Sequence, residues 1–160
     1  LFDGFRDKVR RAQVDDTLAQ LYVGGERFEL AEEAAIRAVQ TRELGGEEAL
    51  LAEALRTHGV VLCRLGRHRE GKRVLDRAHA IAERCGDSEG AGLALLIVIE
   101  EMGERLEADE RLEIGARLDQ SLSHSQRASV LGRLRSCLVL IADAHKPFDK
   151  GLTPHKRGRK

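Results

Sequence analysis

The sequence predicts an all-α fold of about seven helices, and three observations carry that expectation. Both prolines, Pro147 and Pro154, lie near the C-terminus, so the preceding 146 residues hold none. That stretch is rich in Ala, Leu, Glu and Arg, all good helix formers, and proline-free as helix interiors require. Its apolar residues recur every three to four positions in blocks, and each block ends in a short turn containing Gly or Ser. Such turns join antiparallel helix pairs. Aromatic residues make up only 3% of the 160-residue chain and β-branched residues are sparse, which argues against a sheet.

The first helical block runs from about Asp3 to Tyr22, with Phe5, Val9, Val14, Leu18, Leu21 and Tyr22 at helical spacing. Gly24-Gly25 is expected to end it in a left-handed cap. The second, about Phe28 to Leu44, carries the small-residue stripe Ala31, Ala35, Ala38 and Val39 and ends at Gly45-Gly46. The third, about Glu47 to Leu65, presents Leu51, Leu55, Val61, Leu62 and Leu65, with Gly66 closing it. The fourth, about Arg69 to Cys85, presents Val74, Leu75, Ala78, Ile81 and Ala82. Gly86-Asp87-Ser88 is a turn, with Ser88 the expected cap of the next helix.

The fifth block, about Glu89 to Met102, holds the run Leu93 to Ile99, apolar on every side and therefore expected to be the most enclosed helix. This is the longest apolar run, far short of the ~20 residues a bilayer span needs. The sixth, about Asp109 to Leu122, is amphipathic through Leu112, Ile114 and Leu118. After the turn Ser123-His124-Ser125, the seventh, about Gln126 to Ala144, carries Val130, Leu131, Leu134, Leu138 and Ile141.

Charge changes abruptly near Ala144. Lys plus Arg and Asp plus Glu are 27 each, yet residues 145–160 are net +5 and residues 1–144 net −5. That composition reads as a helical domain, 1–144, followed by a basic tail or linker expected to be disordered. Cys63, Cys85 and Cys137 are odd in number and lack metal-clip or redox spacing. They are expected to be core or groove thiols in a reducing, cytoplasmic setting. The chain opens on Leu1 rather than Met, so a piece of a longer protein is expected.

The helix pairs repeat. Leu55, Gly59, Gly66, Leu75 and Ala78 place a large residue, a small residue, a turn glycine and a later small residue at fixed offsets. Leu18, Ala19, Tyr22, Phe28, Ala31, Ala35 and Ala38 repeat the pattern, with Ala38 and Ala78 forty residues apart. This resembles the tetratricopeptide repeat, in its long-period variant seen in bacterial regulators. His58 stands where that family usually has Leu, Gly71 where it has Ala, and Glu83 where it has a closing Pro. The repeats fall at about 12–45, 52–87 and 89–122, with a capping helix at 126–144. The third copy is weaker: Gly103 lies 37 residues after Gly66, so reaching Leu118 takes three extra residues in the turn. The resemblance implies a right-handed superhelix of antiparallel helix hairpins, an α-solenoid.

Catalytic chemistry is not encoded in any recognisable set. The histidines form no HExxH pair and no zinc-spaced cluster with cysteine. His58 is expected to be packed or hydrogen-bonded; His68 and His124 are expected in solvated turns. Adjacent carboxylates such as Glu32-Glu33 and Glu100-Glu101 do not share a helix face. No metal or cofactor is expected, and no enzyme activity.

What remains is a surface. The resemblance implies that the first helix of each pair lines a concave groove for a peptide or partner domain. Offset by offset, repeat one presents Gln13, Asp16, Thr17 and Gln20. Repeat two presents Glu53, Arg56, Thr57, Val60, Cys63 and Arg64, and repeat three Leu93, Ala94, Ile97, Glu100 and Glu101. Arg56 and Arg64 are candidates to pair a ligand carboxylate. The Lys and Asn set of the chaperone-tail clamp is absent. The expected function is protein–protein interaction, as scaffold or sensory part of a larger bacterial signalling or transcription regulator. The partner is expected to be a protein or peptide, or another domain of the same polypeptide. The alternative is a nucleic-acid-associated helical protein acting through its tail, where Lys156, Arg157, Arg159 and Lys160 would contact phosphate. That alternative is disfavoured because Phe148 is the tail's only aromatic. A small all-helical enzyme or ligand-binding bundle ranks last.

Overall fold

Seven α-helices follow one another in the computed structural model, which describes residues 2–144. They are α1 (Phe2–Gly24), α2 (Phe28–Gly45), α3 (Glu48–Arg64), α4 (His68–Arg84), α5 (Ser88–Met102), α6 (Ala108–Leu122) and α7 (Ala128–Ala144). A short 3-10 turn, Gly103–Arg105, separates α5 from α6, and there is no strand among the described residues. The basic tail, 145–160, lies outside the described residues, and with it the expected phosphate contacts Lys156, Arg157, Arg159 and Lys160.

Helices α2 to α7 begin at positions 28, 48, 68, 88, 108 and 128, a step of twenty residues each time. The turns before α2, α3, α4 and α5 share one device. Glu26, Gly46, Gly66 and Gly86 all take positive φ, at 56°, 71°, 77° and 77°. A left-handed residue after the last helical turn reverses the chain in few residues. Glycine occupies three of these positions. At the first, Glu26 adopts the left-handed conformation rather than Gly24 or Gly25, which corrects the sequence expectation. Two other corrections are local. Asp87, not Ser88, caps α5, its carboxylate accepting the Gly90 N–H at 2.8 Å. His68 is the first residue of α4 and half-buried, not solvated in a turn.

The third copy keeps the register. At position 106 the chain is extended at Leu106 (φ −85°, ψ 149°) and the Gly103–Arg105 turn replaces the left-handed residue. Gly103 is therefore not the counterpart of Gly66, and no three-residue insertion is present. Ala12, Ala52 and Gly92 form one buried column at forty-residue spacing, and Ala38, Ala78 and Leu118 another.

Each helix packs on its sequence neighbours. The odd helices also touch one another, α1 with α3, α3 with α5 and α5 with α7, so they form one layer of the stack. Close approach within hairpins depends on glycine. A Cβ on Gly59 would sit 2.6 Å from Leu75 Cγ, and one on Gly92 2.6 Å from Leu122 Cγ. The large residue of the second helix thus fills a hole in the first. The core grades from small to large along the stack. Ala19, Ala31, Ala34 and Ala35 dominate near α1 and α2. Leu95, Leu96, Ile99, Met102, Leu118 and Leu122 dominate around α5, which touches α3, α4, α6 and α7 and is deeply enclosed as expected.

Gly71 departs from alanine for a visible reason. Its Cβ would lie 2.5 Å from Cys63 Sγ and 3.1 Å from the Gly59 carbonyl oxygen. Replacing Gly71 by Ala gains about 1 kcal/mol of helix propensity but overpacks the hairpin by about 1–3 kcal/mol. The Gly71→Ala variant should melt below the parent by circular dichroism. Adding Cys63→Ala removes the Sγ and should recover part of the loss; a double variant no more stable than Gly71→Ala would contradict this packing.

Candidate functional site

The odd helices bring part of the expected groove together. Gln20 from α1, Glu53, Arg56 and Thr57 from α3, and Leu93 and Ile97 from α5 line one cavity of about 280 Å³. Two residues not foreseen complete it: Arg127, just before α7, and Arg133 on α7. Arg133 is forty residues beyond Leu93 and eighty beyond Glu53, so the repeat offset could have found it. The capping helix of the sequence reading thus also adds a residue to this cavity, from the layer of odd helices.

Within this cavity Arg56 is half-buried and makes no ion pair among the described residues. Its nearest hydrogen-bond acceptor is the Gly90 carbonyl at 3.5 Å, at the limit of a bond. Burial lowers the guanidinium pKa, against the pull of the Glu53, Asp87 and Asp16 carboxylates. Asp16, forty residues before Arg56, is only 5% exposed. Its Oδ2 accepts from Gln20 Nε2 at 2.8 Å, while its buried Oδ1 has no partner. The cavity thus holds an under-used donor, Arg56, beside the apolar side chains of Leu93 and Ile97, with the Asp16 carboxylate buried outside its lining.

Other expected groove residues are engaged elsewhere. Arg64 pairs with Glu101 at 2.8 Å, so neither is free for a ligand. Glu100 accepts a two-pronged bond from Arg133 at 2.8 and 2.6 Å. Gln13 Oε1 accepts from Arg42 at 3.3 Å, and the Thr17 hydroxyl bonds back to the Gln13 carbonyl at 2.9 Å. Val60 is half-buried outside the cavity. Ala94 is fully buried in the core, and Cys63 is 4% exposed. Neither presents itself to a ligand.

The thiols divide by burial. Cys63 and Cys137 are buried, and desolvation pushes each thiol up to about 11. Both are neutral and unreactive at neutral pH. Cys85 is exposed just beyond α4, which corrects its expected place in core or groove. Among the described residues no cluster of His, Cys, Asp or Glu is arranged to hold a metal ion. No described helix is long and apolar enough to cross a membrane. No family model matches the chain, and no curated protein matches it significantly.

His58 occupies the position of Leu18 and Val98 in the neighbouring copies. It is half-buried and its Nε2 is buried without a partner. Burial lowers its pKa from the ordinary 6.5, with Arg67 adding to the effect and Glu32 and Glu70 opposing it. A depressed pKa means the fold prefers the neutral ring. This contribution to stability is intact above pH 6.5 and is lost as pH falls from there through the lower folded value. His58→Leu should therefore be the more stable form, with a melting-temperature gap over the parent that widens below pH 6.5. A gap independent of pH would contradict the assignment.

Proposed function

We propose that the chain is a protein–protein interaction module of tetratricopeptide type. In this reading it holds a peptide segment, or a segment of a neighbouring domain, in the groove of its odd helices. It works in the cytoplasm as the sensory or regulatory portion of a larger bacterial signalling or transcription regulator. One observation carries the proposal. A single cavity is lined from all four odd helices or their flanks, and five of its eight lining residues fall at forty-residue offsets: Glu53, Leu93 and Arg133, and Thr57 and Ile97.

The chemistry of the cavity supports a peptide over a catalytic substrate. Leu93 and Ile97 offer apolar contact, Arg56 and the Thr57 hydroxyl offer donors, and Glu53 offers an acceptor. An extended main chain alternates carbonyls and N–H groups and can use both kinds.

Selection from a random peptide display library against the full chain tests this. Peptides should enrich that carry an apolar residue beside a carboxylate. Arg56→Ala should weaken the selected peptides roughly tenfold or more, as loss of a charge-assisted hydrogen bond does, with helix content and melting nearly unchanged. Peptides that bind Arg56→Ala and Ile97→Ala as tightly as the parent, or a library that never enriches, would refute the groove.

A further inference from the structure

A second cleft shares no lining residue with the groove. It lies where the left-handed turn is missing, along the Gly103–Arg105 turn. One lobe, about 530 Å³, runs between the start of α4 and Met102, Arg105 and Leu106. The other, about 600 Å³, runs from the same turn to Arg111 on α6 and Leu140 and Ile141 on α7. His68, Met102 and Arg105 line both lobes.

The charges around this cleft do not cancel locally. Its carboxylates are mostly committed: Glu70 to Arg67, Glu100 to Arg133 and Glu101 to Arg64. Lys72 is held by Asp76 and Glu110. Arg69, Arg105 and Arg111 make no ion pair among the described residues, and only Glu104 stands against them as an uncommitted carboxylate. Two nitrogens at the cleft are buried and unpartnered, Arg111 Nε and His68 Nδ1. A buried guanidinium N–H without an acceptor is an unmet bond. The same walls carry Ile99, Met102, Leu106 and Ile141.

We propose that this cleft is a binding site for a small organic anion. A phosphate or carboxylate group engages Arg105 together with Arg69 or Arg111, and an apolar body lies against Met102 and its neighbours. Guanidinium forks match the paired oxygens of such groups, and Arg105, shared by the two lobes, with Arg69 in one and Arg111 in the other, gives the site its sign. Ligand held there ties the Gly103–Arg105 turn to α4, α6 and α7. The proposal is independent of the groove reading.

The test titrates the full chain with phenyl phosphate and with inorganic phosphate, followed by amide NMR shifts and calorimetry. Phenyl phosphate should bind saturably and more tightly than inorganic phosphate, shifting amides of residues 66–72 and 103–111. Arg69→Ala/Arg105→Ala should weaken it roughly tenfold or more. Both side chains are exposed and unpaired, so melting should hold; Arg135→Ala, at an exposed arginine that lines neither lobe, should bind as the parent does. A carboxylate probe, benzoate, distinguishes the two headgroups and should also depend on Arg105. Shifts confined to 145–160, affinity unchanged in the double variant, or no saturation by any probe at millimolar concentration would overturn the site.

Discussion

The close approach of paired helices at small residues is the constraint on which the rest of the structure depends. Leu75 of α4 sits where a Cβ on Gly59 would be, and Leu122 of α6 sits where one on Gly92 would be. A side chain seated in a glycine hole fixes both the separation of two helices and their relative shift. Helix and following turn together then span twenty residues each time from α2 onward, so the next helix starts twenty residues on. Five such steps, from 28 to 128, bring the odd helices side by side and leave one face of each for other work. Gly115 against Ile141, whose Cδ1 would be 3.1 Å from an added Cβ, extends the same device to α6 and α7.

Electrostatics decides which surfaces remain available. The stack is laced by arginine–carboxylate pairs across repeats, among them Arg67 with Glu32, Arg77 with Glu43, Arg84 with Glu48 and Arg127 with Glu89. Exposed pairs of this kind contribute little stability individually. Their larger consequence is subtraction. They occupy Arg64, Glu100 and Glu101, which otherwise would belong to the groove. Among the cations left without an ion pair in the described residues, Arg56 lies in the groove and Arg69, Arg105 and Arg111 at the second cleft. An unpaired guanidinium beside apolar side chains is a stronger pointer to a ligand than a large count of charges.

The helices were legible because turns and apolar stripes are local signals. Gly46, Gly66 and Gly86 mark left-handed residues that few other side chains tolerate. Helix ends therefore fall within about two residues of the expected ones. Glu26 hid the first such position, since nothing local distinguishes it from a helical glutamate. Gly103 is the opposite case: it lies near the expected turn, while the register runs on through Leu106. The groove was legible only where a position's role follows from its offset. Gln20, Glu53, Arg56, Thr57, Leu93 and Ile97 obey that rule. The pairing of Arg64 with Glu101 joins side chains 37 residues apart on different helices. Such a contact depends on crossing geometry that no spacing rule contains.

The register itself is the most direct thing to measure. Backbone NMR assignment of the full chain reports helix starts through Cα shifts and hairpin contacts through NOEs. The account predicts helical runs beginning within a residue or two of 28, 48, 68, 88, 108 and 128. It also predicts NOEs from the Gly59 and Gly92 α-protons to the Leu75 and Leu122 methyls. Helix starts that slip by three residues after Met102, or the absence of those two NOEs, would contradict it.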